Sequence, residues 1–233
     1  MKSVGIIGGI GPESTIEYYR QIIAAYREQT QGRSPSIVIN SIDVRKLLSL
    51  IEANQLDRVV EYLSAEVGRL ARAGADLGLL AANTPHIVFD EVQARSPIPL
   101  LSIVQATCDV VKGQGFKSVG LFGTRFTMQA GFYQRAFGKQ GIAVVLPELD
   151  EQNYIHDKYT NELLNNRFLP ETRDGILAIA DRLHQVHGVQ AVILGGTELP
   201  LLLRDMRDGS TAFLDTTRIH VKAVVRELLS APL

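Results

Sequence analysis

The two halves of the sequence repeat one pattern, an apolar strand followed by a glycine-rich loop, and this repeat constrains the fold most. The run Val4–Gly9 (VGIIGG) has a counterpart in Val119–Thr124 (VGLFGT). Downstream, Leu80–Thr84 (LAANT) has a counterpart in Leu194–Glu198 (LGGTE). The separation along the sequence is 78 residues from Val4 to Ala82 in the first half, and 77 residues from Val119 to Gly196 in the second. The repeat predicts two similar domains related by a pseudo-two-fold axis.

Short apolar runs bounded by glycine are typical of parallel strands buried on both faces. Helical patterns lie between these runs. Pro12 suits a first helical turn, and the helix after it is expected to bury Tyr19, Ile22, Ile23 and Tyr26. A second buried helical face is formed by Leu56, Val59, Val60, Leu63, Val67 and Leu70. Strands alternating with helices predict an α/β protein of two pseudo-symmetric, doubly wound domains with mainly parallel sheets and a cleft between them.

A domain boundary is predicted at 112–117, where Gly113-Gln114-Gly115 indicates a turn or linker. The first domain is expected to span 1–115 plus 216–233, and the second 116–215. The final segment, 216–229, has a helical pattern and is expected to return to the first domain.

Charge and composition exclude several classes of protein. The 24 basic and 25 acidic residues give a net charge of −1, so the chain lacks the footprint of a nucleic-acid or anionic-membrane partner. A single cysteine excludes an internal disulfide framework and a zinc ribbon, and no metal site is predicted. No apolar run approaches about 20 residues, so no transmembrane helix is expected. The first residues lead directly into a strand without the pattern of a signal peptide, which predicts a cytoplasmic protein.

Four loops, at 8–15, 81–86, 123–128 and 195–200, follow predicted strands at the edge where such folds bind ligands. The first loop does not match the dinucleotide fingerprint, because Ser14 stands where its last glycine belongs. A nicotinamide cofactor is therefore not expected, and a tight turn without a ligand stays an alternative for this loop. Two pairs of polar loops facing across a cleft could hold a small anion.

The loops also carry a resemblance to a known family. Segments 8–19, 83–86, 123–128, 195–199 and 213–220 are similar, in order, to motifs of the aspartate/glutamate racemase family. This resemblance covers the whole chain. It implies a cytoplasmic enzyme, independent of pyridoxal phosphate or any other cofactor, commonly a homodimer. Such an enzyme removes and returns the Cα proton of a small acidic amino acid between its two domains.

The sequence departs from the family at the two catalytic positions. The family's mechanism uses a cysteine before Asn83-Thr84 and another before Thr197, and Ala82 and Gly196 stand there instead. The one cysteine, Cys108, lies on a predicted apolar helix face and is expected in the core. Two-thiol racemisation is thus not possible as written. If Ala82 and Gly196 face each other, cysteines at both positions are expected to introduce Cα exchange.

Two side chains are possible substitutes for the thiols, His86 and Glu198. Each has a structural alternative: His86 could orient its loop, and Glu198 could bond to loop N–H groups. Thr84 is expected to cap a helix that starts at Pro85. The expected substrate-binding residues are Gly9, Arg45, Asn83, Thr84, Thr124, Arg167 and Thr197. The two arginines are implied by the resemblance, because the family binds a diacid with one basic side chain from each half. A solvated surface charge is the alternative for each arginine, and His156 has no assigned place.

Three interpretations stay open from the sequence. The chain is an isomerase or lyase that uses an unrecognised base, a non-catalytic protein that binds small carboxylates, or an engineered knock-out of an active parent. Loss of the Cα proton in D₂O distinguishes an enzyme from a binding protein.

Overall fold

The structure, a computed structural model, describes residues 2–203 and 211–230. The chain divides into two compact units: unit 1 comprises Met1–Ala106 with His220–Leu233, and unit 2 comprises Thr107–Ile219. Each unit contains a four-stranded parallel sheet with flanking helices, which confirms the predicted α/β class. The predicted limits of the domains, 1–115 plus 216–233 and 116–215, stay predictions.

Unit 1 is built on a sheet with the strand order β2-β1-β3-β4. Its strands are β1 (Ser3–Gly8), β2 (Ser36–Ser41), β3 (Leu77–Leu80) and β4 (Leu100–Leu101). Its helices are α1 (Pro12–Gln29), α2 (Val44–Glu52), α3 (Leu56–Arg72) and α4 (Phe89–Arg95), with a 3₁₀ turn at Thr84–Val88. Two further helices, α5 (Ile103–Gly113) and α11 (Thr216–Leu229), span the points where the chain passes between the units.

The core of unit 1 confirms that the final helix returns to the first half. A cluster of buried side chains joins β1, α1, β3 and α11, and its α11 members are Val221, Val224, Val225 and Leu228. The face of α1 differs from the prediction by one position: Tyr18 is buried, whereas Tyr19 is 44% exposed. The buried face of α1 follows a spacing of four through Tyr18, Ile22 and Tyr26, and Tyr19 points about a quarter turn away from it.

Helix α3 buries the predicted face. Its fully buried side chains are Val59, Val60, Leu63, Val67 and Leu70, while Leu56 is half-buried. The spacing of these residues places them along one stripe of the helix, so burial of that stripe against the sheet stabilises both elements.

Unit 2 has the strand order β6-β5-β7-β8. Its strands are β5 (Ser118–Gly123), β6 (Ala143–Val145), β7 (Ala191–Gly195) and β8 (Ala212–Asp215). Its helices are α6 (Arg125–Gln129), α7 (Phe132–Gly138), α8 (Leu149–Asn161), α9 (Pro170–His187) and α10 (Leu199–Leu202), with a 3₁₀ turn at Leu163–Asn165.

The sequence repeat corresponds to equivalent strands in the two sheets. In unit 1 the repeated strings form β1 and β3, and in unit 2 they form β5 and β7, each pair being neighbours in its sheet. The loops at 81–86 and 195–200 therefore follow the carboxyl ends of two equivalent strands, β3 in unit 1 and β7 in unit 2. Across the described ranges, no helix combines the length and the apolar character needed to cross a membrane.

Candidate functional site

The loop after β1 is held in place by its own side chains. Gly9 has a φ of +81°, and a Cβ there would lie 2.6 Å from the Ile42 carbonyl oxygen, so this turn favours glycine. The Gly9 N–H donates to Thr15 Oγ1 at 2.9 Å. The Ser14 hydroxyl donates to the Ala81 carbonyl at 2.7 Å. These bonds tie the first loop to the loop that carries Ala82.

His86 fixes the backbone at the first thiol position. Its Nδ1–H donates to the Ala82 carbonyl at 3.0 Å, and its Nε2 accepts the Ile103 N–H at 3.2 Å. Burial, with a smaller contribution from His220, lowers the pKa of His86 to about 3. The ring is therefore neutral, and both of its nitrogens are engaged by backbone groups. This geometry favours the orienting role over that of a base.

A second buried histidine completes this part of unit 1. The His220 Nε2–H donates to the Leu101 carbonyl at 3.0 Å, and Nδ1 accepts the Tyr18 hydroxyl at 2.9 Å. Burial lowers the pKa of His220 to about 4. The two imidazole centroids lie 6.5 Å apart, and Phe89 stacks on His86 with centroids 5.0 Å apart. Unit 1 thus supports the Ala82 loop with two neutral histidines.

Thr84 does not cap a helix, contrary to the sequence prediction. The 3₁₀ turn begins at Thr84 itself, and Asn83 occupies the cap position without a side-chain cap bond. The His86 N–H donates to the Asn83 carbonyl at 3.0 Å, which closes the turn one residue earlier than predicted. Asn83 is buried and Thr84 is half-buried.

The second thiol position, Gly196, faces a tyrosine from helix α8. A Cβ at Gly196 would lie 2.7 Å from Tyr159 Cε2 and 2.8 Å from Cζ, which is closer than real Cβ atoms approach. The Tyr159 hydroxyl donates to Glu198 Oε2, and the Thr197 hydroxyl donates to the same oxygen at 2.9 Å. Glu198 is thus held by hydroxyl groups through its side chain, whereas the sequence predicted loop N–H donors.

Tyr159 is a neutral hydrogen-bond donor in this arrangement. It is 6% exposed. Burial raises the pKa of Tyr159 well above its usual range, and the neighbouring Glu198 carboxylate raises it further. The sequence analysis missed this residue. Its one signal is the helical spacing that places it three residues after His156 on α8.

Helix α8 also reaches the loop after β5. The Arg125 N–H donates to His156 Nδ1 at 3.3 Å, and the Arg125 guanidinium donates to Asn153 Oδ1 at 3.2 Å. Burial lowers the pKa of His156, and the charge of Arg125 lowers it further. Thr124 is the N-cap of α6, where its hydroxyl accepts the Thr127 N–H at 3.3 Å. One helix therefore contacts the loops after both β5 and β7.

The two predicted arginine ligands are exposed. Arg45 lies in the first turn of α2, where its backbone N–H donates to the Asp43 cap at 2.9 Å. The Arg167 N–H donates to the Glu162 carbonyl at 3.0 Å, after the second 3₁₀ turn. Their part in binding stays a prediction.

Cys108 is fully buried on α5, as its position on the apolar helix face predicts. Burial raises the pKa of its thiol, which disfavours the reactive thiolate. Within the described ranges, no three side chains of His, Cys, Asp or Glu lie close enough together to hold a metal ion.

Comparison with known proteins extends these observations. The sequence profile of the Asp/Glu/Hydantoin racemase family matches residues 7–224. The broad-specificity amino-acid racemase RacX of Bacillus subtilis is 28% identical over 150 residues, which are 61% of this chain and 63% of that protein. The chain therefore matches just under two thirds of the length of this curated relative.

Two solved structures resemble the whole chain. A candidate Asp/Glu racemase from Yersinia pestis is 35% identical with a TM-score of 0.92, over 99% of this chain and 100% of that one. An aspartate racemase homologue from Pyrococcus horikoshii is 32% identical with a TM-score of 0.87, over the same shares.

Proposed function

The chain belongs to the Asp/Glu/Hydantoin racemase family, and from this premise we propose that it binds a small acidic amino acid or dicarboxylate but does not racemise it with two thiols. One observation carries the proposal: the two thiol positions hold Ala82 and Gly196, and the one thiol, Cys108, is buried on α5. Racemisation by proton removal and return needs a group on each face of Cα within about 3 to 3.5 Å. A methyl group and a hydrogen cannot carry that proton.

Binding is supported by the polar loops at the carboxyl ends of the strands. Asn83 and Thr84 follow β3, and Thr124 and Thr197 follow β5 and β7. Helix α1 begins at Pro12 directly after the Gly9 turn, and a helix N-terminus favours an anion. Amide, hydroxyl and backbone N–H donors suit a carboxylate.

Two arginines are proposed to bind the ligand as well. Arg45 in unit 1 and Arg167 in unit 2 each bind one carboxylate, as the family resemblance implies. Guanidinium groups pair with carboxylates in a two-pronged geometry, so each arginine would also orient the ligand.

A second candidate function is that of an isomerase or lyase with a different base. The hydrogen-bonded pair of Tyr159 and Glu198 beside Gly196 favours this candidate over a protein without any chemistry. His86 contributes less to it, because both of its ring nitrogens are already bonded.

We further propose a cytoplasmic homodimer that works without a cofactor, on the strength of the family resemblance. Sedimentation velocity is expected to give twice the mass of the chain. The purified protein is expected to show no visible absorption band from pyridoxal phosphate or flavin. A monomer or a coloured protein would contradict these two expectations.

Calorimetry with aspartate, glutamate, succinate and citrate tests the proposed function. We expect millimolar or tighter binding of at least one of them, with weaker binding for Arg45→Gln and Arg167→Gln. Treatment with iodoacetamide is expected to leave any Cα exchange unchanged, because the thiol of Cys108 is buried. Absence of binding to all four compounds would overturn the proposal. Thiol-dependent racemisation would overturn the statement that the chain does not racemise its ligand with two thiols.

A further inference from the structure

We propose that Glu198, positioned by Tyr159, is a one-sided acid–base group that exchanges the Cα proton of the bound amino acid with solvent and retains its configuration. This inference rests on the proposed binding of a small acidic amino acid. It assigns the chemistry to unit 2, where the tyrosine occupies the space of the missing side chain at Gly196.

The space argument concerns Gly196 and Tyr159. Gly196 does not have a left-handed backbone, so its conformation is open to other residues. What excludes a side chain is the tyrosine, whose ring atoms Cε2 and Cζ would lie 2.7 and 2.8 Å from a Cβ, with the hydroxyl oxygen closer still. The polar end of Tyr159 therefore lies where the side chain of a cysteine would begin.

The hydrogen-bond argument concerns the two oxygens of Glu198. The hydroxyls of Tyr159 and Thr197 both donate to Oε2. Among the residues that the structure describes, Oε1 has no hydrogen-bond partner. The side chain is half-buried. A carboxylate with one oxygen fixed and the other open is arranged to accept a proton from a ligand.

The proposed step balances without an oxidant or a cofactor. Oε1 of Glu198 takes the Cα proton: the C–H bond breaks, an O–H bond forms, and the electron pair passes into the ligand's carboxylate as an enediolate. In D₂O the carboxylic acid of Glu198 exchanges its proton for a deuteron. The electron pair then returns to Cα and takes that deuteron on the same face.

Unit 1 offers no equivalent group at its own thiol position. Ala82 carries only a methyl group, and His86 is bonded through both nitrogens. Exchange is expected to proceed with retention rather than racemisation, because Glu198 returns the proton to the face from which it took it.

Tyr159 is a positioning residue in this scheme. Its hydroxyl donates to Oε2 of Glu198 and so fixes the direction in which Oε1 points. Loss of that donor is expected to lower the exchange rate at saturating ligand while the calorimetric affinity stays unchanged, which a general loss of structure would not cause.

NMR in D₂O with both enantiomers of aspartate and glutamate tests the inference, with chiral chromatography of the recovered amino acid. For the wild-type chain we expect loss of the Cα proton signal without change of configuration. Glu198→Gln should lower the exchange rate at least about 100-fold while calorimetric binding persists. Tyr159→Phe should lower it about tenfold at unchanged calorimetric affinity. Tyr154→Phe, a hydroxyl deletion on the same helix, is the matched control and should change neither.

The outcomes separate the two proposals. Failure of the wild-type chain to bind any acidic amino acid overturns the proposed function and this inference with it. Binding without exchange, or exchange that survives Glu198→Gln, overturns this inference alone. If Glu198→Gln does not fold, Glu198→Asp keeps the charge but shortens the reach, and undiminished exchange in that variant would also overturn the inference.

Discussion

The loops after β3 in unit 1 and after β7 in unit 2 leave equivalent strands, yet the positions at which the family resemblance implies a thiol have different surroundings. In unit 1, Ala82 has a small side chain, and His86 from the same loop donates to its carbonyl. In unit 2, Gly196 has no side chain, and Tyr159 fills the place beside it. The first loop is fixed through its backbone, whereas the second has a tyrosine hydroxyl and a carboxylate beside it.

This difference shows that two loops with similar sequences and equivalent strands need not have equivalent side chains around them. Unit 1 has two neutral histidines, His86 and His220, near the loop, but Ala82 itself carries no acidic or basic group. Unit 2 holds a tyrosine and a carboxylate there. The following experiments test whether this asymmetry is real.

The largest expected effect is acid destabilisation that is greater in unit 1 than in unit 2. The pKa values of His86 and His220 are lowered to about 3 and about 4 in the folded state, against 6.5 for an ordinary histidine. The unfolded state therefore binds protons first, so stability is complete above pH 6.5 and is lost as the pH falls below it. Between there and about pH 4.5 the loss should be on the order of 4 kcal/mol. Amide hydrogen exchange, converted to opening free energies, measures each unit separately.

The control for this prediction is unit 2, whose opening free energies come from the same experiment. His86→Asn, which keeps a donor near the Ala82 carbonyl, should reduce the pH dependence by about half. Equal acid sensitivity in both units would contradict the distinction between them.

A smaller effect is expected from restoring a side chain in unit 2. Gly196→Cys should cost about 1–3 kcal/mol of stability, because the new Cβ overlaps the Tyr159 ring. Ala82→Cys should stay within about 1 kcal/mol, because a Cβ is already present there. Urea unfolding of each variant measures the difference.

Tyr159→Ala combined with Gly196→Cys tests the cause by a double-mutant cycle. The two changes should destabilise less together than their sum, by about 1–3 kcal/mol. The sequence predicts that cysteines at positions 82 and 196 are together enough for two-thiol chemistry. We now expect racemisation by the double-cysteine chain only when Tyr159 is shortened as well. Racemisation by the double-cysteine chain with Tyr159 intact would contradict this revision.

The smallest expected effect compares the two threonines in ligand binding. The Thr197 hydroxyl is already committed to Glu198 at 2.9 Å, so Thr197→Val should weaken succinate binding only about threefold. Thr84→Val should weaken it about tenfold, because its hydroxyl is proposed to donate to the ligand. Calorimetry measures both affinities. A larger effect at Thr197 would mean that its loop, rather than the Thr84 loop, contributes more to ligand binding.

Much of this protein was determined by its sequence, because local periodicity and spacing follow from covalent order. The apolar runs predicted β1, β3, β5 and β7, and their spacing predicted equivalent strands in two sheets. Helix α11 was predicted with the bounds that the structure gives. The absence of both thiols is likewise a property of the sequence, independent of any fold.

The tertiary structure alone decided which side chains meet at those positions. Tyr159 stands 37 residues before Gly196, and only the packing of α8 brings the two together. The roles of His86 and Glu198 depend on Ile103 and Tyr159, partners that no spacing rule selects. Even the choice between Tyr18 and Tyr19 on α1 is set by what the helix packs against. Sequence periodicity specifies which face of an element is buried, whereas contacts between distant elements depend on how those faces are packed together.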